Sequence, residues 1–211
     1  MKPAVTLDTD AIMWSTPERE RAGRPLLVLL HGYGSHEGDL FGMSPGLPLR
    51  SVVASLRGPI AESGGWAWWS RVDQAPGLPE PDRVDAAAEA IIEWLDTLDH
   101  PSVSLLGFSQ GAAMTLQLLR HAPRRFTATV SLSGFVASAE HAGDAELAEV
   151  RPLVFWGRGT ADSVIPDAAV DRTASWLPTH STATVRIYEG LGHSISRDEL
   201  GDLTQFLRDN A

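Results

Sequence analysis

Ser109, Asp162 and His193 stand far apart along the chain, yet their types and order suit covalent acyl transfer. A serine hydroxyl is a weak nucleophile until a positioned base takes its proton, and neutral histidine suits that task at pH 7. A carboxylate on the far side of the ring fixes its tautomer and stabilises the charged form. Ser109 lies in Gly107-Phe108-Ser109-Gln110-Gly111, after the apolar run 102–106 and before 112–120, which reads as a buried helix. A strand, a sharp turn carrying a serine between two glycines, and a helix make a nucleophile elbow. A Cβ at either glycine would collide with neighbouring backbone. The same pattern recurs as Gly42-Met43-Ser44-Pro45-Gly46, but no strand leads into it and no helix follows. Pro45 also lacks the N–H that an oxyanion needs, so Ser44 is read as a loop serine.

The chain has seven histidines, and only His180 and His193 follow both the elbow helix and the 137–150 segment. His180 reads as part of a turn before a strand, the wrong edge of a parallel sheet. His193 follows the last strand, the right edge. His31 follows a strand but precedes the serine, and is read as shaping its loop. Of the acids after the elbow, Asp167 and Asp171 fall in a helix opened by Pro166, where a carboxylate near the first turn suits the helix dipole. Asp162 lies in a strand-to-helix loop and is chosen over Asp144, with an Asx turn as its competing role. An oxyanion hole needs two N–H donors aimed at one point. Gln110 supplies one, and Tyr33, in the glycine loop 31–40, is best placed for the other. Because both donors are backbone, their side chains are expected to be replaceable with less loss than Ser109.

Strands must bring these loops to one rim. Residues 26–30 are apolar without alternation, the mark of a strand buried on both faces. Further strands are expected at 51–57, 127–133, 153–157 and 184–188, with 11–14 as an edge strand. Helices are expected at 82–98, capped by Asp82, at 166–177 with Pro166 as first residue, and at 196–208. The segment 137–150 is a small polar excursion with a helical turn or two. A long connection, 60–81, carries Gly64-Gly65-Trp66-Ala67-Trp68-Trp69, and its tryptophans argue against disorder. Alternating strands and helices give an α/β domain with a mainly parallel sheet and helices on both faces. Without repeats or a linker, 1–211 reads as one domain.

With 211 residues and a net charge of −10, the chain is long enough for a sizeable core and ill-suited to nucleic acid or an anionic membrane. The absence of cysteine excludes disulfides, thiolate metal sites and a cysteine nucleophile. The N-terminal stretch 1–10 lacks the apolar core of a signal peptide, and no run approaches a membrane span, so a cytoplasmic protein without stable membrane insertion is expected.

His31-Gly32-Tyr33-Gly34, Gly107-Phe108-Ser109-Gln110-Gly111, Asp162-Ser163-Val164-Ile165-Pro166 and Gly192-His193 together resemble the phospholipase/carboxylesterase family of α/β-hydrolases, which includes acyl-protein thioesterases. The glycine and tryptophan loops look closer to its bacterial carboxylesterase branch. The resemblance implies the same roles for Ser109, Asp162 and His193, oxyanion N–H groups at Tyr33 and Gln110, and an acyl pocket lined by Trp68, Phe135 and Val164. The Trp68-Trp69 pair and the short polar 137–150 segment depart from the family pattern.

The expected activity is a serine carboxylic-ester hydrolase acting on short- to medium-chain acyl esters through an acyl-serine, with a small-molecule ester as partner and no metal or cofactor required. An acyl thioesterase or lysophospholipase would use the same triad. A non-catalytic receptor or scaffold on this fold is the rival of another class. The sequence is silent on oligomeric state.

Overall fold

A computed structural model describes residues 5–48 and 50–211, so residues 1–4 of the N-terminal stretch lie outside the described residues. In chain order the elements are β1 (Met13–Trp14), β2 (Leu26–Leu30), α1 (Gly38–Phe41), β3 (Val52–Leu56), β4 (Ile60–Glu62), β5 (Gly65–Ala67), α2 (Pro81–Asp96), β6 (Val103–Phe108), α3 (Gln110–His121), β7 (Phe126–Leu132), α4 (Asp144–Val150), β8 (Leu153–Gly159), α5 (Asp167–His180), β9 (Thr182–Tyr188) and α6 (Arg197–Asn210). Seven strands form one sheet in the order β1-β3-β2-β6-β7-β8-β9. Within this sheet the β1–β3 pairing alone among the described residues is antiparallel, so β2 and β6 to β9 all point their carboxyl ends at one rim.

The apolar run 26–30 shows why the sheet is buried on both sides. Leu26, Val28 and Leu30 pack into one cluster with α2, α3 and α5 side chains such as Ile91, Met114 and Leu177. Leu27 and Leu29 face the other way, onto Leu40 of α1 and Leu203 and Leu207 of α6. Period-two side chains with apolar partners on both faces remove any need for polar alternation. No helix among the described residues is long and apolar enough to cross a membrane.

Three details differ from the sequence expectation. The 60–81 connection contains an antiparallel hairpin, β4–β5, in which Glu62 pairs with Gly65 across Ser63 and Gly64. Both turn residues have positive φ, 58° and 79°, the two-residue turn whose twist suits a hairpin. Helix α2 is capped at Glu80 and starts with Pro81, which leaves Asp82 as a first-turn acid rather than the cap. Pro166 caps α5 rather than opening it, and the helix runs through Pro178 to His180, so His180 ends a helix instead of lying in a turn. A proline so near the end forgoes one backbone bond in the last turns.

Candidate active site

Ser109 joins β6 to α3 with φ 56° and ψ −115°, a conformation that costs a non-glycine residue about 1–3 kcal/mol. Its neighbours hold it there: the Ser109 N–H donates to Leu132 O at 2.9 Å, and its carbonyl accepts from the Ala113 N–H at 3.0 Å. A Cβ on Gly107 would overlap the Gly111 carbonyl, and one on Gly111 would overlap the Leu30 carbonyl. Neither glycine has positive φ, so what each supplies is room for backbone to pass.

The loop after β9 brings His193 to this serine, with Nε2 2.9 Å from Ser109 Oγ. Its Nδ1 lies 2.7 Å from Asp162 Oδ2, in the loop after β8. Asp162 Oδ1 accepts the Val164 N–H at 2.9 Å and the Ile165 N–H at 3.3 Å. Burial alone would raise this carboxyl, but the His193 bond and the two N–H groups outweigh it and hold its pKa below the ordinary value. An ionised carboxylate only accepts, so Nδ1 carries the proton and donates to Asp162. The lone pair of Nε2 is then free to accept the Ser109 hydroxyl. Phe108 packs its ring 4.9 Å from the imidazole. Asp162 thus makes the Asx turn and the histidine contact together, one oxygen for each.

Tyr33 and Gln110 border the same cleft as Ser109. Neither backbone N–H has an acceptor among the described residues. The glycine loop lies close over the elbow, since a Cβ on Gly32 would stand 3.5 Å from Ser109 Cβ. His31 anchors that loop from beneath and is fully buried. Its Nδ1–H donates to Gly32 O at 2.7 Å, while Nε2 accepts the Gly58 N–H at 3.0 Å. Burial lowers its pKa, which keeps the ring neutral and this bonding pattern fixed.

The side chain of Gln110 has a role that its sequence position did not reveal. Its Oε1 accepts the Trp68 N–H at 2.9 Å and its Nε2 donates to Trp69 O at 2.8 Å, clamping the tryptophan loop to the elbow. Beside the expectation that this side chain can be varied with less loss than Ser109 stands a structural duty: two buried backbone groups depend on it. It is Trp68 that needs correction. It is fully buried beneath the cleft and donates Nε1–H to His31 O at 2.8 Å, and Trp69 forms the wall in its place. Phe135 and Val164 do line the cleft, which encloses about 460 Å³ including its open mouth. Among the described residues, the one grouping of three metal-ligating side chains lies elsewhere, at Asp85, His121 and His141.

The sequence model of the phospholipase/carboxylesterase family matches residues 15–211. An acyl-protein thioesterase 1 of Eremothecium gossypii is 35% identical over 107 residues, 49% of this chain and 46% of the relative. The chain thus matches about half the length of that relative. The esterase YpfH of Escherichia coli is 27% identical over 204 residues, 90% of this chain and 84% of its own. Among solved structures, a carboxylesterase from Mesorhizobium loti superposes with a TM-score of 0.78 at 22% identity, covering 98% of this chain and 99% of that one. The strand order, the elbow and the match over nearly the whole length agree: this chain belongs to the phospholipase/carboxylesterase family, with the α/β-hydrolase fold.

Proposed function

We propose that this chain is a serine carboxylic-ester hydrolase, with Ser109 as nucleophile, His193 as general base and Asp162 as the carboxylate that orients it. The observation carrying this reading is the unbroken pair of hydrogen bonds, 2.9 Å from Ser109 Oγ to His193 Nε2 and 2.7 Å from Nδ1 to Asp162 Oδ2. His193 takes the hydroxyl proton as Oγ bonds to the ester carbonyl carbon. The carbonyl oxygen becomes an oxyanion held by the Tyr33 and Gln110 N–H groups. Collapse of this adduct breaks the ester C–O bond, and the alkoxide leaves as alcohol with the proton from His193. Water, deprotonated by His193, then attacks the acyl-serine and releases the acid. Asp162 stays ionised throughout, in keeping with its lowered pKa.

The confined cleft walled by Phe135, Val164 and Ile165 supports acyl groups of short to medium length, with a small-molecule ester as substrate. A thioester is the second reading, favoured by the relative named an acyl-protein thioesterase. The triad chemistry is common to both, and one methylene alters selectivity by only about 1–3 kcal/mol, so a panel of esters and thioesters from C2 to C16 is the measurement that separates them. Ser109→Ala should lower kcat on p-nitrophenyl acetate by about 10⁶ and abolish labelling by a fluorophosphonate. Near-normal turnover by that variant would overturn the assignment.

A further inference from the structure

Asp85 on α2, His121 at the end of α3 and His141 in the segment before α4 meet outside the catalytic cleft, and one ligand atom from each lies within 4.8 Å of the others. His121 Nε2 is 2.8 Å from Asp85 Oδ1, and His141 Nε2 is 4.0 Å from the same oxygen. The two imidazoles stand 4.5 Å apart between centroids. We propose that these three residues bind a divalent transition-metal ion of the zinc type, which ties α2 to the far end of the elbow helix.

Two imidazoles and one carboxylate are a borderline donor set that suits zinc, with a water completing four-coordination. Ligand atoms on one tetrahedral zinc ion lie about 3.4 Å apart, so side-chain movements of about 1 Å close this set. A second observation points the same way. Gln117 is 4% exposed, donates its Nε2–H to Asp85 Oδ1 at 2.6 Å, and leaves its own Oε1 buried without a partner among the described residues. The donated bond orients the carboxylate as outer groups orient metal ligands. The orphan acceptor beside it suits a metal-bound water, which must donate its protons. The nearby Arg120 charge is taken up by a two-pronged pair with Asp144, at 2.8 and 3.0 Å, which leaves Asp85 to face the ion. Two bonds must yield: the 2.8 Å His121 Nε2–Asp85 Oδ1 hydrogen bond, whose place the ion takes, and one at His141. His141 Nδ1 accepts the Gly143 N–H at 3.0 Å, and a ring ligating through Nε2 carries its proton on Nδ1, so that half-buried N–H must turn to solvent.

Helix α3 has Ser109 at one end and His121 at the other, and its 12 residues span about 18 Å. The ion would therefore brace the elbow helix without touching the reacting ester. Titration of the chelator-treated protein with zinc chloride alone should show one equivalent bound at micromolar concentration. Zinc at about 100 times its Kd should raise Tm by about 5–10 °C. His141→Ala and Asp85→Asn should each weaken binding at least tenfold with kcat on p-nitrophenyl acetate unchanged. His193→Ala should bind zinc as the wild type does, which separates this site from the triad. In the wild type, Co²⁺ should give the intense visible bands of four-coordinate cobalt, a readout that needs no variant to fold. Binding only at millimolar zinc, equal affinity in His141→Ala, or the pale spectrum of six-coordinate cobalt would each overturn the proposal.

Discussion

An ionised Asp162 can only accept hydrogen bonds, and its two oxygens divide the work between its own loop and His193. Asparagine at 162 keeps an oxygen for the Val164 and Ile165 N–H groups but turns an NH₂ toward His193 Nδ1. That favours the tautomer with the proton on Nε2, which cannot accept from Ser109. Asp162→Asn should therefore lower kcat about 10⁴-fold with Tm nearly unchanged, measured on one ester and by thermal melt. Gln110→Ala should behave in the opposite sense. It strands the Trp68 N–H and the Trp69 carbonyl, at about 1–3 kcal/mol for each buried unpaired group, and so should lower Tm and raise KM while fluorophosphonate labelling persists. That Ser109, Asp162 and His193 would come together was legible in the sequence, because chain order and placement after strands single them out. The Gln110 clamp was not, because its partners are backbone atoms 41 and 42 residues away, which any residue type offers.

At the scale of elements, the cleft is assembled from segments that the sheet does not hold. Arg172 on α5 fastens two of them: Nε donates to Val136 O at 3.0 Å, next to Phe135 of the lining, and Nη2 donates to the O of Gly77, another lining residue, at 2.7 Å. Gly77 itself has φ 73° and packs against α5, where a Cβ would come 2.9 Å from Ala169 Cβ. Arg172→Ala should release both walls and reduce kcat/KM for a medium-chain ester by about tenfold, more than for the acetate, which needs less of the cleft. Arg172→Lys should not rescue it, because one ammonium cannot reach two carbonyls that the planar guanidinium spans. This tie escapes a reading of periodicity, as does the hairpin β4–β5 with its three-residue strands. The long helices and the apolar strands were legible because their patterns repeat over enough residues to stand out.

At the scale of the whole molecule, a buried acid, Glu199, links stability to pH. Glu199 opens α6 as the third residue after its cap, and Ser196 Oγ accepts its backbone N–H at 3.1 Å, half of a capping box. The Glu199 carboxyl does not complete that box. It is 1% exposed, neither oxygen has a partner among the described residues, and it packs into the space left by Gly157, where any Cβ would strike it. The spacing Ser196 to Glu199 predicts the cap, but only the packing of α6 on β8 shows the carboxyl turning inward. Burial first, and then the nearby Asp202, push its pKa from 4.5 to about 7. The sign follows by linkage. Below pH 4.5 both folded and unfolded chains hold the proton, and Glu199 carries no charge cost. Between pH 4.5 and 7 the unfolded chain ionises while the folded one resists, so stability falls. Above pH 7 the loss is complete, at about 3 kcal/mol. Glu199→Gln, which mimics the protonated form, should therefore raise Tm by about 6–12 °C at pH 8 and change it little at pH 4.5. A melt series from pH 4.5 to 8 checks this. An equal shift at both ends would mean that packing, and not ionisation, sets the cost.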